Sequence, residues 1–359
     1  MRYAAITGWG KCIPPATLTN ADLERIVETS DDWITTRTGI KERHIAEVDT
    51  SDLAAVASMR ALAAAGVTPD EVDLILLATC TPDHVIPSAA SRLQAKLGAF
   101  RAGAQDLNAA CAGFIYALVT GTAMVRSGAL DRILVVGAEK LSHLIDWTDR
   151  TTCVLFGDAA GAVLLEPSDE PAGVLSSELG LDGTCTELLV VPDMGTAGVP
   201  RTRDPRRMGI RMNGPEVFRR AVVAMGDAST RVVDEAGLRL EDVDLLIPHQ
   251  ANLRIIDATA RRLKLDSSQV YVNIQSYGNT SAATIPVALA EAVEEGRVES
   301  GCNIVFAAFG AGLTWAAAVV RWGDRVTPLG TSDVELPSSG RSAIEVLEPA
   351  FAYYGTDLG

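Results

Sequence analysis

The sequence predicts an α/β protein made of two copies of one unit, with helices covering both faces of each sheet. Two pairs of segments match at the same offset of 171 residues: 65–75 (AGVTPDEVDLI) with 236–246 (AGLRLEDVDLL), and 132–137 (RILVVG) with 303–308 (NIVFAA). Matches that keep both their order and their spacing are hard to obtain by chance, so we infer an internal duplication. The period is too long for a solenoid repeat.

The predicted elements follow the same plan in each half. Continuous apolar runs predict strands that are buried on both faces, and these lie at residues 74–78, 133–136, 162–165, 245–247, 304–308 and 316–320, after an opening strand at the N-terminus. Helical periodicity predicts helices at residues 51–65, 88–97, 113–125, 215–236, 253–263 and 283–295. Two such units joined face to face form a layered body, and a site is expected where the halves meet.

We divide the chain into an N-terminal half at residues 1–170, a C-terminal half at residues 171–322 and an extension at residues 323–359. The extension lies outside the duplication and is rich in Gly, Pro, Ser and acidic residues, with one short apolar patch at 351–354. This composition predicts a flexible or loosely docked tail.

The composition argues against several classes of protein. Hydrophobic residues make up 48% of the chain and charged residues 21%, which is typical of soluble globular proteins. No apolar stretch reaches the ~18 residues that a membrane span needs. The formal net charge of −15 disfavours nucleic acid as a partner. The opening residues are interrupted too soon for a signal peptide, so a cytoplasmic location is expected.

The six cysteines are scattered singly along the chain. They form no CxxC pair, and the four histidines show no ligand spacing near them. The sequence therefore predicts no metal site, and it predicts that the thiols are reduced.

One cysteine is distinguished by its position. Cys111 follows the segment QDLNAA (105–110) and precedes the helical pattern at 113–125, so it lies where a strand should turn into a helix. The unpaired N–H groups and the positive dipole end of a helix N-terminus favour the thiolate, which is the nucleophilic form. The ordinary alternative for a single cysteine is a buried structural residue.

Polar residues occupy comparable junctions in the second half. His249 follows the strand at 245–247, Asn279 lies in GNTS (278–281) before a helix, and the turn GAG (310–312) follows the strand at 304–308. Each has a local explanation, as a solvated loop histidine, a helix cap or a hairpin turn. Together with Cys111 they form a candidate thiol site in a cleft shared by the two halves.

Six motifs resemble, in family order over residues 1–322, those of β-ketoacyl-acyl-carrier-protein synthase III, a condensing enzyme of the thiolase superfamily. They are TSDDWITTRTGIKERH (29–44), AACAGF (109–114), DWTDR with FGDAAGA (146–162), PHQANLRII (248–256), YGNTSAA (277–283) and FGAGLTW (309–315). Any one of these motifs alone is moderately specific, but jointly they are highly specific.

The resemblance implies a thiolase-like αβαβα fold and a decarboxylating Claisen condensation that initiates fatty acid synthesis. Cys111 would take the acyl group from an acyl-CoA, and malonyl-acyl-carrier protein (malonyl-ACP) would then lose CO₂ and attack the thioester. His249 and Asn279 would stabilise the enolate, and the backbone N–H groups of Cys111 and Ala311 would form the oxyanion hole. Both acyl compounds are substrates, and no cofactor is expected.

Two residue types in these motifs refine the expectation. The family usually has glycine at the middle of the 310–312 turn, whereas this chain has Ala311, which keeps the N–H if it can adopt the required backbone conformation. Cysteine at 111 and asparagine at 279 favour a condensing enzyme over relatives that only transfer acyl groups.

The resemblance also implies binding residues. It assigns CoA binding to Trp33, Arg37, Arg150, Asn252 and Gly214, where an exposed indole beside an arginine suits purine stacking. Packing of Trp33 on its own helix is the alternative. The acyl pocket is assigned to Ile86, Leu141, Phe156 and Met212, with some positions contributed across a homodimer interface. Ile86 replaces a larger phenylalanine found in many relatives, which would admit branched or longer primers.

Basic residues suggest a docking surface for the carrier protein. Arg254 and Arg261 lie seven apart and hence on one helix face, with Arg262 adjacent and Arg219 on the helix at 215–236. Carrier proteins are acidic, so a local basic face on an acidic enzyme would steer their docking. The alternative is an ordinary solvated face.

Three other functions are compatible with parts of the pattern. A papain-like protease uses Cys, His and Asn in this order but lacks the duplication. Synthase III relatives of secondary metabolism keep the fold and either prime polyketide pathways or acylate hydroxyl groups. A binding-only relative would not need to retain all three polar site residues.

Overall fold

The computed structural model describes residues 2–196, 205–337 and 339–356. Its strands are β1 (Tyr3–Cys12), β2 (Ala16–Thr19), β3 (Glu42–Ile45), β4 (Leu74–Ala78), β5 (Gly103–Leu107), β6 (Ile133–Lys140), β7 (Asp158–Ser168), β8 (Gly173–Leu181), β9 (Leu189–Val190), β10 (Arg211–Met212), β11 (Leu245–Pro248), β12 (Asn303–Gly310) and β13 (Thr314–Arg321). Its α-helices are α1 (Asn20–Leu23), α2 (Asp31–Thr38), α3 (Thr50–Ala65), α4 (Ala89–Leu97), α5 (Gly113–Arg126), α6 (Gly214–Glu235), α7 (Leu253–Arg262), α8 (Ile274–Tyr277), α9 (Thr284–Glu294) and α10 (Ala343–Tyr354).

The two main sheets repeat one topology. The first has the strand order β1-β7-β6-β4-β5, and the second has the order β8-β13-β12-β11. In both sheets the first three strands are antiparallel neighbours, and the next pair, β6 with β4 or β12 with β11, is parallel. This correspondence confirms the α/β fold built from duplicated halves.

The helices complete five layers. α3 and α4 cover the outer face of the first sheet, α5 and α9 lie between the sheets, and α6 covers the outer face of the second sheet with α7 packed on it. The largest apolar cluster joins both sheets through α5 and α9. Most strands of the two sheets are buried on both faces, and this explains their continuous apolar sequences; these are β4, β6, β7, β11, β12 and β13.

The duplication extends to backbone conformation. Gly66 and Gly237, 171 residues apart, both have φ of +71° just after α3 and α6, where glycine adopts the left-handed cap without steric cost. Ala110 (φ +47°) and Ser281 (φ +50°) are also 171 residues apart and begin the 3₁₀ turns that lead into α5 and α9. Non-glycine residues adopt this conformation at a cost of about 1–3 kcal/mol, and such strain is concentrated at functional sites.

The C-terminal extension differs from the flexible tail that its composition predicts. Backbone and side-chain hydrogen bonds hold it along α3: the Leu329 N–H donates to the Ala64 carbonyl at 2.9 Å, and Arg325 donates to the Ala65 carbonyl at 2.7 Å. α10 then begins at a Ser342–Glu345 capping box. The sparse apolar residues of this segment suffice for docking because they fall on one helix face.

α10 joins a main apolar cluster of the protein. Leu347 and Phe351 are buried there, and the Phe351 ring meets Trp147 edge-on with 5.8 Å between centroids. Residues 343–354 are therefore a docked helix, whereas the composition predicted a flexible or loosely docked tail. Within the described residues, no helix combines the length and the apolar character needed to cross a bilayer.

Substitution of Phe351 tests this docking. We expect Phe351→Ala to lower the free energy of unfolding by about 3 kcal/mol, because it removes a buried aromatic side chain and leaves a cavity beside Trp147. Tyr353→Ala, on the same helix at a position that is 51% exposed, serves as the control and should change stability by less than about 1 kcal/mol. Urea unfolding measures both variants, and equal effects would contradict a docked α10.

Candidate active site

A cavity of about 1160 Å³ opens where the two halves meet, and Cys111, His249 and Asn279 all line it. Cys111 lies in the 3₁₀ turn after β5, His249 directly follows β11, and Asn279 precedes the turn into α9. The structure thus brings the three sequence-predicted residues to one place. The turn at 310–312 lines the same cavity.

Cys111 lies at the entry to α5, as predicted, but its environment differs from the one expected there. Burial raises the pKa of the Cys111 thiol to about 12, although the Ser281 hydroxyl and the backbone amide of Cys111 hydrogen-bond to it and act in the opposite direction. Loss of hydration disfavours the thiolate more strongly than the helix terminus favours it. Burial therefore opposes the thiolate that the helix terminus was predicted to favour, and the resting form of Cys111 is the thiol.

His249 is a neutral imidazole in this site. Burial lowers its pKa to about 3. Its backbone N–H donates to the Ala307 carbonyl at 2.8 Å, and its Nδ1 lies 2.7 Å from Thr284 Oγ1. The Thr284 hydroxyl can donate its one proton to the Ser281 carbonyl at 3.0 Å, in which case Nδ1 carries the ring proton and donates to Thr284 Oγ1, or it can donate to Nδ1 instead. Donation to Nδ1 leaves the ring proton on Nε2, which has no partner among the described residues.

Asn279 is held by its amide oxygen. The Ser281 N–H donates to Asn279 Oδ1 at 2.8 Å, which fixes the orientation of the amide and leaves the NH₂ group without a partner in the described part of the chain. Backbone bonds join Asn279 to the first half, because its N–H donates to the Leu155 carbonyl and its carbonyl accepts from the Gly157 N–H. The site is therefore pinned across the interface between the halves.

The turn at 310–312 closely approaches the nucleophile. A Cβ atom on Gly310 would lie 2.7 Å from the Cys111 backbone nitrogen, so only glycine fits there. Gly312 takes the left-handed region (φ +134°), whereas Ala311 has a negative φ that any residue adopts. Alanine at 311 is therefore compatible with this turn.

Sequence reasoning did not identify Thr284, Ser281 or Glu139. Thr284 orients the His249 ring, and the Ser281 backbone N–H orients the Asn279 amide. Glu139 is a fully buried carboxylate that accepts a hydrogen bond from Ser281 Oγ at 3.0 Å. The sequence offered one indication of Glu139, namely its position shortly after the predicted strand at 133–136.

The predicted CoA residues lie near one edge of the cavity. The guanidinium carbons of Arg37 and Arg150 are 4.6 Å and 5.1 Å from the Trp33 ring centroid. Asn252 uses both polar atoms of its amide for structure: Oδ1 caps α7 through the Arg254 N–H, and Nδ2 donates to the Arg37 carbonyl. Gly214, at the start of α6, lines the cavity with Trp33, Arg37 and Asn252.

Three of the four predicted acyl-pocket residues line the cavity, namely Leu141, Phe156 and Met212. Ile86 does not: it is 86% exposed, like the neighbouring Val85, on the loop between β4 and α4. In the single chain Ile86 is therefore not part of the pocket wall, because this loop extends outward; a contribution across a homodimer interface, which the assignment allowed, stays a prediction.

The predicted basic face contains paired and unpaired arginines. Arg219 forms an ion pair with Glu216, and Arg262 forms one with Asp227. Arg254 and Arg261 are exposed and have no ion-pair partner within the described residues. Arg254 lies at the cavity, 5.1 Å from the Phe218 ring centroid.

Comparison with known proteins identifies a family for this chain. Residues 105–183 match the family model for 3-oxoacyl-[acyl-carrier-protein] synthase III, and residues 233–322 match the model for its C-terminal region. The chain is 51% identical over 348 residues to β-ketoacyl-[acyl-carrier-protein] synthase III 2 of Vibrio vulnificus strain YJ016, covering 97% of this chain and 96% of that protein.

Solved structures show the same similarity. The crystal structure of 3-oxoacyl-[acyl-carrier-protein] synthase III from Aquifex aeolicus is 48% identical, with a TM-score of 0.84, and covers 89% of this chain and 100% of its own. The priming β-ketosynthase of the R1128 polyketide pathway is 36% identical with the same TM-score, covering 90% of this chain and 97% of its own. The chain belongs to the β-ketoacyl-acyl-carrier-protein synthase III family of thiolase-fold condensing enzymes.

Proposed function

We propose that the protein initiates fatty acid synthesis by condensing an acyl-CoA primer with malonyl-ACP, through an acyl group held on Cys111. The observation that carries the proposal is one cavity containing a thiol, a neutral imidazole and an oriented amide. Neutral donors suit decarboxylation because the charge that develops is negative and has no competing anion beside it. Acyl-CoA and malonyl-ACP act as substrates.

In the first half-reaction, Cys111 Sγ attacks the thioester carbonyl of the acyl-CoA. The new C–S bond forms, the bond to the CoA sulfur breaks, and the proton of the Cys111 thiol is passed on to the leaving CoA thiolate. The carbonyl oxygen carries negative charge at the tetrahedral stage. We assign the backbone N–H groups of Cys111 and Ala311 as donors to that oxygen; both residues line the cavity, and Gly310 brings the turn against Cys111.

In the second half-reaction, the malonyl C–CO₂ bond breaks and its electron pair becomes an enolate. His249 Nε2–H and the Asn279 NH₂ donate to the enolate oxygen. The tautomer in which the Thr284 hydroxyl donates to His249 Nδ1 supplies the first of these donors. The enolate carbon then attacks the acyl thioester on Cys111, and expulsion of the Cys111 thiolate gives the β-ketoacyl-ACP.

The rest of the cavity supports the same substrates. Trp33 with Arg37 and Arg150 offers an indole face and two cations for the CoA nucleotide. The apolar wall containing Leu141, Phe156 and Met212 suits an acyl chain. A homodimer and a cytoplasmic location stay expectations from the family resemblance.

Priming of a polyketide pathway is the second candidate. Similarity to the R1128 priming ketosynthase favours it, at 36% identity against 48% for the Aquifex aeolicus synthase. Both functions use the same half-reactions, so they differ in the carrier protein that accepts the product.

Separate measurement of the half-reactions tests the proposal. The enzyme is incubated with acetyl-CoA or isobutyryl-CoA and then malonyl-ACP, and mass spectrometry records the Cys111 peptide and the carrier protein. We expect acyl-Cys111 and β-ketoacyl-ACP from the wild type. His249→Ala should still acylate Cys111 but lower condensation about a hundredfold, because one enolate donor is lost. Cys111→Ser is the control that abolishes acylation. Acylated Cys111 without β-ketoacyl-ACP from the wild type would refute condensation and leave acyl transfer standing.

The oxyanion turn supports a second prediction. Gly310→Ala should reduce acylation of Cys111 about a hundredfold, since its Cβ would lie 2.7 Å from the Cys111 nitrogen and displace an oxyanion donor. Gly323→Ala is a matched control, because the nearest atom to its Cβ is 3.8 Å away. Quench-flow with acetyl-CoA measures both rates. Unchanged acylation in Gly310→Ala would argue against the assigned hole.

Charge reversal tests carrier-protein docking. Arg254→Glu should raise the KM for malonyl-ACP about tenfold and leave acylation by acyl-CoA within about twofold, because an exposed charge mainly steers an acidic partner. Arg239→Glu changes the net charge equally at a distant position where Arg239 pairs with Asp242, and it should have little effect. Equal losses in both half-reactions of Arg254→Glu would count against a docking role.

A further inference from the structure

The helix α10, which the mechanism above does not use, shares an apolar cluster with the wall of the active-site cavity. The matches to the family models end at residue 322, so the activity they imply assigns no role to this helix. Its buried residues belong to the same cluster as Leu144 and Ile210, and these two line the cavity. The buried residues of α10 are Ala343, Leu347 and Phe351.

The part of the cavity wall that α10 approaches consists of two segments joined through their backbones. Leu144 ends the 3₁₀ turn that follows β6, and Ile210 lies just before β10. The Ile210 N–H donates to the Leu144 carbonyl at 2.8 Å. A Cβ atom on Gly209 would lie 3.0 Å from the Asp146 nitrogen, so the two backbones run close together. A displacement of one segment therefore displaces the other.

Trp147 connects this part of the wall to α10. It follows Leu144 by three residues and is fully buried, and its ring meets Phe351 edge-on with 5.8 Å between centroids. Its buried indole N–H has no hydrogen-bond partner among the residues that the structure describes. Buried tryptophans usually have such a partner. Because packing alone holds the Trp147 ring, the contact with Phe351 helps to fix the segment that carries Leu144.

A second contact between α10 and the wall runs through the turn Pro205–Met208. Arg207 of this turn donates twice to the Asp193 carboxylate, from Nε at 2.8 Å and from Nη2 at 2.9 Å. Asp193 is buried, and its N–H donates to the Arg207 carbonyl at 3.1 Å. The adjacent Met194 lines the cavity. The turn that α10 contacts is thus tied to another part of the same wall by a charge-assisted pair.

The side chains that these contacts position are apolar. Leu144, Ile210 and Met194 present hydrocarbon and thioether groups to the cavity. Such a surface binds an acyl chain by removing its methylene groups from water, and each buried methylene strengthens binding about fourfold. A wall that is already in place binds the chain without the cost of ordering the site.

We propose that α10 determines primer specificity: through Phe351 and Trp147 it holds the wall at Leu144 and Ile210 in the position that binds the distal carbons of an acyl group longer than acetyl. This role rests on the condensing function proposed above. An acetyl group on Cys111 has a single methyl carbon beyond the carbonyl, whereas a longer chain contacts more of the wall. Phe351 and Trp147 are positioning residues, since neither is among the described residues that line the cavity.

Phe351→Ala tests the proposal, because it removes the ring that packs on Trp147 and leaves the cavity lining unchanged. The kcat/KM for acylation of Cys111 is measured by quench-flow and mass spectrometry with acetyl-CoA and hexanoyl-CoA. We expect the hexanoyl-CoA value to fall about tenfold, because the distal methylenes lose an ordered apolar surface. The acetyl-CoA value should stay within about twofold of the wild type.

The ratio of the two values separates a positioning role from a loss of stability. If Phe351→Ala only lowered the fraction of folded enzyme, both primers would lose activity equally and the ratio would not change. An unchanged ratio would overturn the proposal. A ratio that rises would also overturn it, because α10 would then restrict long chains instead of supporting their binding.

Two further variants at α10 complete the experiment. Phe351→Leu keeps an apolar side chain against Trp147 and should lower the ratio only about threefold. If Phe351→Ala fails to fold, Phe351→Leu decides, and a wild-type ratio in that variant would overturn the proposal. Tyr353→Ala is the matched control on the exposed side of the same helix and should leave the ratio unchanged. A loss equal to that of Phe351→Ala would contradict a specific contact.

The wild type distinguishes failure of this proposal from failure of the proposed function. Wild-type enzyme that acylates Cys111 with acetyl-CoA but with neither butyryl-CoA nor hexanoyl-CoA would overturn the role of α10 and leave condensation standing. Acylated Cys111 that yields no β-ketoacyl-ACP from any primer would instead overturn the condensing function. A graded acceptance of longer primers that Phe351→Ala reduces with increasing chain length is the result we expect.

Discussion

The close approach of two backbone junctions at the centre of the molecule is the constraint on which the site depends. The turns that begin at Ala110 and Ser281 meet between the two sheets, both in the left-handed region. Their separation is set by glycines: a Cβ on Gly137 would lie 2.2 Å from the Ala282 carbonyl oxygen, and one on Gly310 would lie 2.7 Å from the Cys111 nitrogen. Because backbone meets backbone here, nucleophile, amide and oxyanion donors share one cavity.

Burial at this centre determines the protonation states on which the chemistry depends. It raises the pKa of the Cys111 thiol and lowers that of His249, so both rest uncharged. An uncharged imidazole can donate to a developing enolate, but an uncharged thiol needs a proton acceptor. The low-polarity environment that suits the second half-reaction therefore makes loss of the Cys111 proton a requirement of the first.

Sequence patterns predicted the fold well because a strand that is buried on both faces has a continuous apolar sequence, which is easily recognised. The runs at 74–78 and 245–247 correspond to β4 and β11, and the conserved offset between the halves corresponds to the matching strand orders. Cys111, His249 and Asn279 were found because each is a reactive or polar residue at a junction between an extended segment and a helix. Glu139 shares such a position, yet nothing in its local sequence distinguishes a fully buried carboxylate from a solvated one.

The amino-acid sequence by itself determined the α/β class, the duplication, the family resemblance and the three residues expected to carry the chemistry, since these follow from local periodicity and residue type. Only the tertiary structure decided that Cys111 rests as a thiol, that Ile86 projects outward, that α10 docks beside Trp147, and that Ser281 donates to the buried carboxylate of Glu139. Each of these depends on which distant residues surround a group, because burial and hydrogen bonding are properties of the assembled layers and not of any one segment.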